Sequence, residues 1–269
     1  MPELPEMETY RQQLTPLIQG VPITGVEVTR TKSLNIEPER FALLLTGNRI
    51  LHIDRRAKHL LFILATGELL VLHLMLGGWM YVGSDADKPD RTFQVTIQFG
   101  EKNLYFIGLR LGYLHVHLPS EAEALFKKLG PEPLLADFTF ERFRQTLHGK
   151  RGNLKVTLVD QSVMSGIGNC YSDEICFYAQ LRPTRRISEL SDDELQRLYQ
   201  SMRSVLLEAI RYGGYMESPL YAGDRLTGGF DSRCRVYDRE GEPCVRCGQL
   251  LVFEEVSSRK CFYCANCQA

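Results

Sequence analysis

The first six residues, Met1-Pro2-Glu3-Leu4-Pro5-Glu6, place a proline behind the initiator methionine and two carboxylates within four residues of it. If Met1 is removed, Pro2 becomes a free secondary amine. An α-amino group has a pKa of about 7.7–8.0, far below that of lysine, so a useful fraction is unprotonated at neutral pH. Such an amine can attack a carbonyl carbon and form a Schiff base, the covalent chemistry usually assigned to lysine. Glu3 and Glu6 are close enough in sequence to move protons beside it. Taken alone, the same residues also describe a solvated terminus.

A second chemistry lies at the other end. Cys244-Val245-Arg246-Cys247 and Cys264-Ala265-Asn266-Cys267 are two C-x-x-C pairs separated by sixteen residues. This spacing predicts one structural Zn2+ held by the thiolates of Cys244, Cys247, Cys264 and Cys267. Cys261 also forms a C-x-x-C with Cys264, but is expected on a hairpin strand. A closed four-thiolate site leaves no open position for water, which argues against a zinc hydrolase. The start shows no secretory signal, so a disulfide framework is not expected.

Net charge is −1, which by itself does not announce a nucleic-acid binder. The cations are clustered, however: Arg49, Arg55, Arg56 and Lys58; then Arg142, Arg144, Lys150, Arg151 and Lys155 with no intervening acid; then Arg182, Arg185 and Arg186. Such runs form either solvated faces or phosphate tracks. No apolar run reaches the roughly 18 residues of a membrane span.

These groups need elements to position them. Apolar residues at Met7, Tyr10, Leu14, Leu17 and Ile18 predict a first helix, interrupted at Pro16. From Val21 to about His117, short β-branched and aromatic runs punctuated by Gly, Asn and Asp predict two packed antiparallel sheets, with a further helix near Glu37-Leu45. Gly130-Pro131-Glu132-Pro133 is a stiff break. Beyond it, helices are expected over Phe140-Leu147, Asn169-Tyr178 and Ser191-Gly213. Leu250-Val256 and Lys260-Tyr263 read as a hairpin between the cysteine pairs. The fold class is α+β: an N-terminal β-sandwich flanked by helices (1–130), a helical domain (131–222) and a zinc β-hairpin (223–269).

In order along the chain, several motifs resemble the bacterial formamidopyrimidine-DNA glycosylase family, whose relatives include endonuclease VIII. They are Met1-Pro2-Glu3-Leu4-Pro5-Glu6, Arg55-Arg56-Ala57-Lys58-His59-Leu60, Leu129-Gly130-Pro131-Glu132-Pro133-Leu134, Asp160-Gln161 with Gly166-Ile167-Gly168-Asn169, and Val236-Tyr237 with Arg239-Glu240-Gly241-Glu242-Pro243-Cys244. The resemblance implies a helix–two-turns–helix motif in the helical domain. It implies that Pro2 is the nucleophile on sugar C1′, that Glu3 protonates the ring oxygen, that Glu6 positions or relays protons, and that Lys58 binds a phosphate. Gly168 and Asn169 would hold a backbone phosphate at a helix N-terminus; Lys155 and Arg259 would add phosphate contacts. The implied activity is bifunctional: excision of a damaged base, then strand nicking by elimination. The implied partner is double-stranded DNA with a damaged base or abasic site, handled by a monomer in the bacterial cytoplasm and requiring nucleotide eversion.

The chain departs from that pattern where the everted base leaves a hole. The family's methionine, arginine and phenylalanine positions fall on Leu76, Leu109 and Leu111, with Arg110 or Met75 as alternatives. An apolar side chain still parts base pairs, but a leucine cannot hydrogen-bond the opposite base. Tyr215-Met216-Glu217-Ser218-Pro219-Leu220, behind Gly213-Gly214, also replaces the family's threonine- and arginine-containing run. The competing expectation is a damaged- or abasic-DNA-binding protein, or a lyase, that has lost oxidised-guanine excision.

Overall fold

The structure is a computed structural model describing residues Met1–Ala269. It contains two compact units, Met1–Lys127 with Tyr212–Gly229, and Lys128–Arg211 with Phe230–Ala269.

The first unit has two four-stranded antiparallel sheets. One runs in the order β1 (Gly25–Val28), β6 (Phe93–Phe99), β7 (Lys102–Ile107), β5 (Trp79–Gly83); the other runs β2 (Ile50–Arg56), β3 (His59–Leu64), β4 (Leu69–His73), β8 (Tyr113–His117). The period-2 pattern of β3 shows why they pack: Leu60, Phe62 and Leu64 are buried while His59, Leu61 and Ile63 are half-buried. Leu70, Leu72, Val95, Ile97, Leu104 and Phe106 meet them in one core. Helix α1 (Leu4–Ile18) adds Met7, Tyr10, Leu14 and Ile18, and α2 (Pro38–Leu45) adds Phe41 and Leu45. A short α3 (Pro119–Phe126) follows β8. Pro16 does not interrupt α1: it sits in the last turn, where the helix still closes with Gln19 N–H donating to Thr15 C=O at 3.2 Å.

The outer face of the second sheet carries a polar-aromatic stripe. His59, His73 and Tyr113 stand in register on β3, β4 and β8. The imidazoles stack at 4.2 Å between centroids, His59 Nε2 lies 3.1 Å from the Tyr113 hydroxyl, and Phe126 of α3 packs edge-on to His59 at 5.2 Å. Burial, then the neighbouring His73, lowers His59 to about 3; burial, then the Lys58 charge, lowers His73 to about 4. Both are therefore neutral when folded but titrate near 6.5 when unfolded. Below that pH the unfolded chain binds more protons, so this contribution to stability is intact above pH 6.5 and is lost towards pH 4. Urea titrations should show a decline of about 1–3 kcal/mol over that interval, discounted for partial exposure. His59→Phe with His73→Phe should flatten it, and an unchanged slope would contradict the assignment.

In the second unit, α4 (Phe140–Leu147), α5 (Leu154–Val159), α6 (Asn169–Ala179) and α7 (Asp192–Arg211) form the helical part, and β9 (Val252–Val256) pairs with β10 (Arg259–Tyr263) in the hairpin. Thr139 and Asn153 cap α4 and α5 by accepting from Arg142 N–H and Val156 N–H. The hairpin does not stand apart: Phe262, Leu251 and Cys264 share a core with Phe177 of α6 and Val236. The Gly130 segment also belongs with this unit, since Gly130 N–H donates to Gln161 C=O and Ser165 N–H to Pro131 C=O. Segment Tyr212–Gly229 instead rejoins the first unit. Leu220 is buried in that core, and Gln13 Nε2 of α1 donates to Asp224 at 2.9 Å.

Candidate active site and nucleic-acid interface

In the first unit the site begins at α1. Glu3 is its N-cap, and Glu6 Oε2 accepts the Glu3 N–H at 2.8 Å. Both carboxylates are buried, at 2% and 1% exposure. Glu6 Oε1 also accepts the Tyr215 N–H at 2.9 Å. Gly214 makes this approach possible: its φ is +74°, and a Cβ there would lie 2.3 Å from Glu6 Oε1. Glu6 thus braces the chain start against the returning segment.

Lys58 lies in the two-residue turn between β2 and β3, beside Ala57 at φ 54°. Arg55 ties this turn to α1, donating to Ala57 C=O at 3.1 Å and to Glu8 at 3.2 Å. Lys58 is 5% exposed. Burial lowers its pKa, opposed by the charges of Glu3 and then Glu6. The chain start, its two carboxylates and the buried Lys58 amino group therefore share one neighbourhood. Pro2 is buried, and its nitrogen carries the Met1 acyl group in this structure.

The leucines at the two neighbouring turns behave differently from one another. Leu76 and Leu111 are 61% and 62% exposed, with Arg110 exposed between Leu109 and Leu111. Leu109 must be removed from the expected wedge, because it is fully buried in the sandwich core. Its backbone is fixed as well: Leu109 N–H donates to Gln94 Oε1 and its C=O accepts from Ser33 Oγ. The two turns abut through Gly108, whose φ is +71° and whose added Cβ would meet Gly77 O at 2.1 Å.

In the second unit, Gly168 is the N-cap of α6 and Asn169 its first residue. Gln161 braces the preceding turn: its Oε1 accepts Gly166 N–H at 2.9 Å and its Nε2 donates to Ile167 C=O at 2.8 Å. Burial pushes Asp160 up, but Ser162, Lys150 and Arg259 outweigh it and hold its carboxyl low, which puts Arg259 near the start of the same motif.

Lys155 requires a second correction. It is fully buried, with Nζ 2.6 Å from Asp173 Oδ1 and 2.9 Å from Asn169 C=O. It cannot touch a DNA phosphate; it holds the first turn of α6 from within. The sequence reading missed its partner and the neighbour beside it. Asp173 Oδ2 accepts Phe262 N–H from β10 at 3.1 Å. The Glu174 carboxylate accepts the amides of Arg235, Val236 and Tyr237 at 2.9–3.0 Å. Two adjacent acids in an otherwise apolar helical stretch were the available signal.

The four expected zinc ligands converge, with all sulfurs within 4.8 Å of one another. Cys244 and Cys267 Sγ lie 3.8 Å apart, and Cys247 and Cys264 Sγ 3.6 Å. A tetrahedral ion with Zn–S bonds of about 2.3 Å requires sulfurs about 3.8 Å apart, so the donor set fits zinc. Arg246 N–H points at Cys244 Sγ and Cys267 N–H at Cys264 Sγ, as thiolates require. The Arg246 guanidinium packs 4.0 Å from the Phe177 ring centroid and donates to Phe177 C=O, docking the knuckle on α6. Cys261 is fully buried on β10, outside the set. This is a structural centre for one zinc ion.

A two-sheet unit with two buried carboxylates at the start of its first helix, joined in one chain to a helical unit with a four-cysteine hairpin, is the architecture of a zinc-hairpin DNA-repair enzyme. Three sequence profiles match: formamidopyrimidine-DNA glycosylase N-terminal domain over 1–114, formamidopyrimidine-DNA glycosylase H2TH domain over 129–218, and zinc finger found in FPG and IleRS over 241–269. The chain is 34% identical over 270 residues to a formamidopyrimidine-DNA glycosylase of Carboxydothermus hydrogenoformans, covering all of both chains. It is 37% identical over 282 residues to one of Thermus thermophilus, covering 100% of this chain and 98% of that one. Lactococcus lactis Fpg in complex with an abasic-site DNA superposes with a TM-score of 0.92 at 30% identity, covering 99% of each chain. The chain belongs to the formamidopyrimidine-DNA glycosylase family.

Proposed function

We infer that this protein is a bifunctional DNA glycosylase and abasic-site lyase of base excision repair, acting on double-stranded DNA that carries a damaged base or abasic site. Similar structures include Lactococcus lactis Fpg bound to Fapy-dG and abasic-site DNA. The observation that carries the residue assignment is the convergence of the chain start, Glu3, Glu6 and Lys58 in one buried neighbourhood. After loss of Met1, the Pro2 nitrogen attacks sugar C1′ and Glu3 handles the proton at the ring oxygen. Glu6 keeps Glu3 and the Gly214–Tyr215 backbone in place. Lys58 balances the carboxylates, holds a phosphate and favours the neutral form of the nearby amine. Gly168, Asn169 and Arg259 are the proposed phosphate holders of the second unit, and Leu76 and Leu111 the wedge. Zinc supplies no chemistry; when bound it holds the hairpin that presents Arg259. No helix is long and apolar enough to cross a membrane; we place the protein with its DNA in the bacterial cytoplasm.

Borohydride trapping on an abasic duplex tests the assignment. Protein lacking Met1 should give one covalent adduct, mapped to Pro2 by peptide mass, whereas protein retaining Met1 should give none. An adduct on a lysine would defeat the assignment of the nucleophile.

A further inference from the structure

Tyr215 was not among the candidate residues, yet it stands against the reacting end. The Met1 carbonyl carbon is bonded to the Pro2 nitrogen, so it occupies the bonding position that substrate C1′ takes once Met1 is gone. The Met1 carbonyl oxygen then stands in for an oxygen carried on that carbon. The Tyr215 hydroxyl lies 3.4 Å from it and is the donor in that contact. The ring is delivered by a fixed backbone. Tyr215 N–H donates to Glu6 Oε1 at 2.9 Å, and Gly214 packs directly on the same carboxylate. Downstream, Leu220 is buried and its C=O accepts Val82 N–H. Asp224 accepts from the amides of Leu220, Leu226 and Thr227 and from the Gln13 side chain. The segment is therefore a pinned wall at this place in the first unit.

We propose that Tyr215 is a further catalytic residue, whose hydroxyl donates a hydrogen bond to the oxygen on C1′ as Pro2 adds to an abasic-site aldehyde. The proposal rests on Pro2 being the nucleophile. In that step the N–C1′ bond forms and the C=O π pair moves onto oxygen, where the Tyr215 O–H meets the growing negative charge. One proton passes from nitrogen to that oxygen through Glu3. A second, from solvent, lets the hydroxyl depart as water and leaves the iminium. Tyr215 itself keeps its proton throughout.

The test is Tyr215→Phe in protein shown by mass to lack Met1. Single-turnover borohydride trapping on an abasic duplex should slow by about 100–1000-fold, the scale of losing one such donor. Duplex affinity and thermal midpoint should stay unchanged. Site-specific 3-fluorotyrosine at 215, a more acidic donor of nearly the same shape, should restore trapping to at least the wild-type rate. A Tyr215→Phe rate within twofold of wild type overturns the proposal, as does a loss of rate fully explained by weaker DNA binding. If wild-type protein itself forms no adduct, the assignment of Pro2 fails instead.

Discussion

Lys155→Met is expected to destabilise the protein by about 3–5 kcal/mol, because it strands the buried Asp173 carboxylate without its cation. Lys155 and Asp173 are both fully buried and lie 2.6 Å apart. Burial pushes Asp173 up to about 7 even though Lys155 and the Phe262 N–H work in the opposite direction. Removing the ammonium leaves the carboxyl two options, an unpaired buried charge or protonation. Protonation in turn weakens its acceptance of Phe262 N–H. Adding Asp173→Asn should recover much of the loss, since an amide oxygen still accepts from Phe262 and no charge remains to be buried. Urea unfolding of the single and double variants measures this directly. A phosphate-binding lysine would behave otherwise: stability would be unmoved, affinity would fall uniformly across DNA sequences, and the salt slope would drop by about one. That second pattern would make Lys155 a phosphate ligand after all.

The same residue shows how far the sequence could be read. Its charge run, Arg142 to Lys155, fixes the sign of a surface only if the side chains reach the surface. Arg142 pairs with Asp137, Arg144 with Asp192, and Lys155 turns inward to an acid eighteen positions away. The adjacent acids Asp173 and Glu174 hint at a buried counterion, but nothing local to Lys155 marks it as that counterion. Leu109 fails for a related reason. The family motif sets Leu109 beside Leu111 in the wedge, but both lie in a turn that leaves Gly108 at φ +71° and sends Leu109 into the core. By contrast, features governed by local chemistry were legible. The cysteine spacing specified its cluster, the apolar period specified α1, and helix α4 has the expected bounds behind its Thr139 cap. The start motif pointed to Glu3 and Glu6 but not to Tyr215, which reaches them only because the chain returns to the first unit after α7.

Removing zinc should unfold the hairpin and abolish damaged-DNA binding, because the metal supplies folding free energy that the hairpin lacks by itself. Structural zinc in comparable peptides contributes roughly 10–16 kcal/mol at neutral pH. The hairpin's own apolar contribution is small: Leu251, Phe262 and Cys264 against Phe177 and Val236. Without the ion, four sulfurs within 4.8 Å must protonate or repel. The loss spreads inward along named bonds. Phe262 N–H leaves Asp173, and Arg246 leaves the Phe177 ring and carbonyl. Arg259, at the first position of β10, loses the strand that places it. Chelation should therefore erase hydrogen-exchange protection over Val252–Val256 and Arg259–Tyr263 while the strands of the first unit keep theirs. Cys264→Ser should yield protein without stoichiometric zinc, and Cys261→Ser should retain one ion per chain, since Cys261 lies outside the converging set. Zinc lost from the Cys261→Ser variant would mean that the ligands include Cys261. Persistent protection of β9 and β10 after chelation would mean that packing on α6 suffices and that zinc merely tunes it.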